Sequence, residues 1–390
     1  VRIKRNIVLM CCISLLQGMV FYGPIATLYR QAAGLGIFQI TLIESICLAL
    51  SVALELPWGL VADRIGYRRT MLLCCLLYFL SKLVFWRADR FSLFLLERVM
   101  LAVVISGLSG VDVSVIWLSC EEQDAQRIFG LTNSLGTAGL LLAAGCYSLF
   151  IGGNYRLAGL LTCCSYGLAA LLAFGLREVR PPARRRTGQL SDFTALLRST
   201  LRDPALWMLL LGAALFGETH QTVTVFLNQL QYVRAGMSDR LIGVVYAAVT
   251  LAGLCGGLSA RLTRGPGPRR SGALLCGGGA LACLTLALTR SPLLSAAAVV
   301  LLRVCFSLFQ PLQTDLQNRM VRTGDRATAL SINAVLGDGV AILTNLSFGA
   351  VADRSLTAAL LCGAGFCLGA LLLWRAALRG RTCRPDPQTE

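Results

Sequence analysis

Long apolar runs recur along this chain so regularly that they leave few folds open to it. Twelve can be drawn: Asn6 to Leu28, Gln39 to Ala62, Thr70 to Trp86, Phe91 to Ser119, Ile128 to Ile151, Tyr155 to Leu176, Ala205 to Leu230, Arg240 to Leu262, Ser271 to Thr289, Pro292 to Leu316, Ala327 to Ala352 and Leu356 to Trp374. A helix rises about 1.5 Å per residue, so roughly 20 apolar residues cross the roughly 30 Å of hydrocarbon in a bilayer. Each run therefore reads as a spanning helix, numbered below from span one to span twelve, with Gly, Pro, Arg and Asp punctuating the joints. A soluble alternative fails on composition. A 390-residue chain that is 56% hydrophobic and 14% charged has too little polar surface to cover a globule. The expected class is an all-α membrane protein with twelve transmembrane helices.

A formal charge of +16 would suit a nucleic-acid binder, but the basic residues sit where a membrane protein puts them. With the amino terminus inside, 25 Lys and Arg fall in cytoplasmic segments and 8 in external ones, Arg30, Arg156, Arg234 and Arg354 among the latter. The positive-inside rule then places both termini in the cytosol and the chain in the plasma membrane, with the lipid bilayer and not nucleic acid as its partner. None of the 16 cysteines lies in an expected external loop. Pairs such as Cys11-Cys12, Cys74-Cys75 and Cys163-Cys164 sit inside spans and read as small hydrophobes rather than a disulfide framework. No cleavable signal is apparent, and the opening at Val1 fits either missing residues before it or an unusual start codon.

Hydrophobicity collapses once, in Arg180-Pro181-Pro182-Ala183-Arg184-Arg185-Arg186. This divides the chain into a six-span half at 1–177, a basic cytoplasmic linker at 178–204 and a second six-span half at 205–390. The halves echo one another. Gly59-Leu60 at the end of span two recurs as Gly257-Leu258 at the end of span eight, and Leu95-Leu96-Glu97-Arg98-Val99 resembles Leu301-Leu302-Arg303-Val304.

Between spans two and three runs Gly59-Leu60-Val61-Ala62-Asp63-Arg64-Ile65-Gly66-Tyr67-Arg68-Arg69. This fits the pattern G-x-x-x-[DE]-[RK]-x-G-x-[RK]-[RK], and the chain thereby resembles the major facilitator superfamily of transporters. Gly23-Pro24, Gly34, Ile40 and Glu55-Leu56-Pro57-Trp58-Gly59 are similar to its bacterial efflux branch. The resemblance implies a gate motif made of Gly59, Asp63, Arg64, Gly66, Arg68 and Arg69, with Asp63 docking on the start of span eleven near Arg326 and Ala327 as a latch. It also implies a monomer, a small-molecule site at the bilayer midplane between the halves, and alternating access by rocking of one half against the other. One departure is clear. Span five carries Gly130, Gly136, Gly139 and Gly145 but not the Pro of the family's antiporter signature.

Ionisable residues inside spans are costly unless paired, neutralised or facing water. Glu44, Ser51 and Glu55 fall at i, i+7 and i+11, within about 20° of one stripe at about 100° per residue. Glu218, Gln221, Thr222, Asn228 and Gln229 in span seven, and Asp338 and Asn345 in span eleven, form similar stripes, all expected to face a water-filled cavity. Glu218, Asp112, Glu44 and Asp338 are candidates for proton coupling, Glu218 first. Gln17, Tyr22, Arg98, Gln221, Asn228, Arg303 and Asn345 are candidates for lining the substrate cavity. Lys82 and Glu97 are expected to snorkel to the outer interface. Arg98 either snorkels or serves the cavity. Asp315 is expected to pair with Arg319, and His220 to make a hydrogen-bonded helix contact rather than relay protons.

With Lys4 and Lys82 as its only lysines, neither in a phosphate-binding loop, and with one histidine, the chain offers no P-loop ATPase and no zinc cluster. It is expected to be no enzyme and to need no cofactor. The leading reading is proton-coupled export of small amphipathic or drug-like molecules. A proton symporter importing a small organic anion or sugar is the alternative, favoured if Arg98 and Arg303 face the cavity, and a membrane receptor or scaffold is the non-transport alternative.

Overall fold

A backbone N–H or C=O in hydrocarbon finds no water to bond, so a spanning segment must satisfy its own polar groups, and the helix does so within itself. The computed structural model describes residues 4–179, 203–320 and 326–379, with the side chains at 56, 59, 60, 63, 122, 264 and 326–333 outside that description. Among the described residues all regular structure is helical. Eleven helical segments among the described residues are long and apolar enough to cross a membrane. The expected seventh span is also helical, from Pro204 to Thr222 and on through a wide turn at Val223–Leu227 to Arg234. It falls short of that measure because Glu218, His220 and Gln221 close its longest segment. The basic linker expected at 178–204 lies largely outside the described residues.

Span boundaries agree with the apolar runs to within a few residues, and the differences have local causes. Span four does not run unbroken to Ser119. Its first helix, Phe91–Leu108, stops at Ser109, and Gly110 takes φ +77°, a left-handed conformation open to glycine, before Val111–Trp117 begins. Span one breaks between Lys4–Gly18 and Ala26–Ala32, with Pro24 in the short turn between them. Close crossing explains two glycines. A Cβ on Gly18 would strike the Gly136 backbone and one on Gly139 would strike the Leu15 carbonyl, so span one lies directly on span five. Gly136 and Gly139, part of the glycine pattern that lacks its Pro, are thus placed in a packing seam.

In the amino-terminal half, span one packs on spans five and six, span three on four and six, and span two on four. In the carboxy-terminal half, span twelve packs on seven and nine, and nine on ten. The halves meet along two seams, span two with span eleven and span five with span eight. The face that carries the linker is called the linker face below, and the opposite one the far face.

Candidate functional site

At the far face the two halves are hydrogen-bonded together. The Gln229 side-chain oxygen accepts from the backbone N–H groups of Thr27 at 2.8 Å and Leu28 at 3.3 Å, tying span one to span seven. Asp353, just beyond span eleven, accepts from the Ile37 N–H at 2.6 Å. Ile37 is the first residue of span two, where a helix presents unbonded N–H groups and the positive end of its dipole, so a carboxylate there is doubly favoured. Gly36 fits beneath it, since a Cβ would come within 3.2 Å of the Asp353 carboxylate. Among the described residues, every hydrogen bond that joins the halves lies toward this face. The linker-face half instead exposes polar side chains from both halves, Glu55, Asn133, Gln221 and Gln310. Among the described residues, then, the contacts that close the halves on each other lie at the far face, and the space between the halves toward the linker face is called the crevice below.

Three carboxyl groups, Glu55, Glu218 and Asp338, are grouped across the divide between the halves. Glu218 of span seven and Asp338 of span eleven are close enough for their charges to repel, and Asp338 stands in the same relation to Glu55 across the divide between halves. Asp112 is half-buried in the first turn of Val111–Trp117, where its carboxylate accepts from the Val113 N–H at 2.7 Å. Higher up, the Arg303 guanidinium meets His220 Nε2 at 3.3 Å, and the imidazole stacks on Phe306 with centroids 4.1 Å apart. Gly253 makes room for it, because a Cβ there would lie 2.6 Å from Arg303 Nη2. Arg303 pairs with no carboxylate among the described residues, and its Nε is buried without a partner.

Other expectations are corrected by the packing. Arg30, counted as an external residue, is buried at 1% exposure and lies 3.5 Å from Glu44. Glu44 also binds Arg98 at 2.7 Å, so two guanidinium groups hold it in place of an open cavity. Lys82 and Glu97 do not snorkel. They form a buried ion pair at 3.3 Å, with Arg98 on the other Glu97 oxygen at 3.4 Å, and Lys82 lies over the rings of Tyr22, Tyr78 and Tyr166. The cause is that Tyr22 of span one, Tyr78 of span three and Tyr166 of span six gather around the ammonium and Glu97 pairs with it inside the half. Tyr22 belongs to the same cluster, stacked on Phe85 at 4.1 Å. The span-two stripe faces span four rather than water alone: Glu44 meets Arg98, the Ser51 carbonyl accepts from Ser106 at 2.9 Å, and Glu55 accepts from Ser109 at 3.5 Å.

Asn228 is buried at the far-face end of span seven, and Asn345 accepts from Thr222 at 2.8 Å as a contact between spans seven and eleven. Gln221 is exposed, and Gln17 touches Cys75 while its carbonyl accepts from Tyr166 at 2.6 Å. Asp315 and Arg319 pair at 3.0 Å, as expected.

In the gate motif, Gly66 takes φ +91° at the joint between spans two and three. The Glu178 carboxylate fills the space beside it, accepting from the Arg68 N–H at 3.3 Å, while the Arg68 guanidinium donates to the Phe174 carbonyl at 3.3 Å. The motif is thereby fastened to the end of span six. Arg64 and Arg69 are exposed. Gly59, the Asp63 side chain and its expected contacts near Arg326 and Ala327 lie outside the described side chains.

Sequence reasoning missed Glu178 and Asp353. Nothing in the sequence singles out the first. The second had a signal: Gly349-Ala350-Val351-Ala352-Asp353-Arg354 repeats the spacing of Gly59-Leu60-Val61-Ala62-Asp63-Arg64.

Comparison with known proteins places this architecture. The model of the Major Facilitator Superfamily matches residues 7–345. No curated protein matches the sequence. Among solved structures, the nucleoside transporter NupG is similar with a TM-score of 0.80 at 14% identity, over 96% of this chain and 100% of that one. A bacterial homologue of the human lysosomal transporter Spinster, inward-facing and unoccupied, gives 0.76 at 16% identity, over 96% and 97%. A POT family transporter in complex with 5-aminolevulinic acid gives 0.71 at 14% identity, over 94% and 95%.

Proposed function

This chain belongs to the major facilitator superfamily, and from that premise we propose that it is a secondary active transporter that exports small amphipathic molecules in exchange for protons moving down their gradient, by alternating access. Transport itself follows from the family. Direction, coupling and cargo are the proposal, and export rests on the likeness of Glu55-Leu56-Pro57-Trp58-Gly59 and Gly23-Pro24 to the efflux branch.

The observation that carries the coupling is the set of like charges around the crevice. Closing the linker face must bring Glu55 toward Asp338 and Glu218, and three carboxylates in a drying space repel one another. A bound proton relieves that repulsion, so protonation favours the closed linker face and release favours the state seen here. Opening of the far face then requires the Asp353 contact on span two and the Gln229 contacts on span one to break. Two seams and two faces thus exchange contacts in turn, with Asp63 proposed to replace at the linker face what Asp353 supplies at the far face.

Arg303 favours a second reading of the cargo. A cation beside His220 with no carboxylate partner among the described residues suits an organic anion. Purified protein in liposomes under an imposed pH gradient, tested against amphipathic cations and organic anions side by side, separates the two. Accumulation that ignores the gradient would remove proton coupling. Arg303→Gln should abolish transport of anions and spare that of cations.

A further inference from the structure

Away from the crevice, a groove of about 690 Å³ runs between spans nine and twelve on the outer flank of the carboxy-terminal half. Its composition changes along its length. Arg269 and Arg270, in the first turn of Pro268–Leu288, and Arg375, in the last turn of Leu356–Ala377, gather at the linker-face mouth. The two helices run antiparallel, which is why residues so far apart in sequence share one end. All three arginines are exposed, and none has a carboxylate partner among the described residues. Below them the walls are Leu274, Leu281 and Leu371, and Gly277 keeps the floor low, where a Cβ would already lie 3.6 Å from Leu371. From Arg270 to Leu281 the helix rises about 16 Å, the reach of a long acyl segment. Leu274 is 69% and Leu281 58% exposed, so the groove opens sideways toward the hydrocarbon and not into the transport crevice.

We propose that this groove is a binding site for one anionic phospholipid, its phosphate held by Arg269, Arg270 and Arg375 and an acyl chain laid along Gly277 and Leu281. Charge complementarity selects the occupant. Three guanidinium groups concentrated at headgroup level favour an anionic lipid over a zwitterionic one, and planar guanidinium forks match phosphate oxygens in pairs. The apolar lower part distinguishes a lipid from free phosphate, which would gain nothing from the leucines.

The test uses the full chain, purified in detergent and titrated with phosphatidylglycerol or phosphatidylcholine while bound lipid is counted by native mass spectrometry. The wild type should retain one phosphatidylglycerol with at least tenfold preference over phosphatidylcholine, and millimolar inorganic phosphate should not displace it. The triple variant Arg269→Gln, Arg270→Gln, Arg375→Gln should lose the preference. Gly277→Leu, which fills the groove and leaves every charge, should lose it as well, and serves where the triple variant fails to fold. Equal retention of both lipids by the wild type, unchanged preference in either variant, or complete displacement by phosphate would each overturn the proposal.

Discussion

Glu218 and Lys82 show how the same placement, a charge within a span, leads to opposite roles. Glu218 is among like charges in the crevice, and if it carries the coupling proton, Glu218→Gln should abolish gradient-driven accumulation in liposomes while exchange or downhill flux persists. Asp112→Asn, assayed in the same two modes, should have the smaller effect, because that carboxylate is engaged by its neighbour's N–H. Gradient-driven transport in both variants would move the coupling to Asp338, Glu44 or another residue, or make the protein a facilitator. Lys82 is different, since its partner is a buried Glu97. Lys82→Met should cost about 3–5 kcal/mol in thermal or denaturant unfolding, because a buried carboxylate loses one of its cations. Adding Glu97→Gln should recover much of that loss. A single variant of wild-type stability would show the pair to be dispensable.

At the scale of elements, the aspartates that follow spans two and eleven are expected to act in opposite directions. Asp353→Asn weakens a charge-assisted hydrogen bond to the start of span two, a contact worth about 1.5–3 kcal/mol. Far-face accessibility, measured by labelling single cysteines in the far-face halves of spans two and eleven, should rise roughly tenfold or more. Asp63→Asn should instead raise linker-face accessibility and lower transport, with folding largely intact. The same direction of change in both variants would refute a reciprocal pair of latches. Packing between elements is equally testable. Gly139→Leu drives a side chain into the span-one backbone and should abolish folded, monodisperse protein in size-exclusion chromatography, whereas Gly130→Leu, which meets open space, should not.

For the whole molecule, sidedness is the prediction with the widest consequence. A reporter fused after Gln189 should be cytoplasmic, while tags at Gly153 and Gly236 should react with impermeant reagents from outside. Gly153 and Gly236 both lie in turns at the far face, so their common exposure is required by the packing as well as by the charge distribution. Reaction of all three sites from one side would dismantle the arrangement of two halves about a central crevice.

What the sequence by itself determined was whatever depends on bulk hydrophobicity and on short local patterns. Apolar runs long enough to cross a bilayer must become helices, so the spans and their order were legible, and the loop from Gly59 to Arg69 carried the family. The Asp315–Arg319 pair was legible too, because one helical turn joins those residues whatever surrounds them. Only the tertiary structure decided which charges meet. Helical phase placed Glu44 on a stripe but could not say that Arg30 and Arg98, from two other spans, would meet it there, nor that Lys82 would be roofed by three tyrosines. The break at Gly110 was not legible, because a glycine within an apolar run marks a left-handed turn no more than it marks a continuous helix. Closure at the far face was the least legible of all. Asp353 and Ile37 lie at opposite ends of the chain, and their contact exists only because two halves, each folded on its own apolar surfaces, lean together on that side.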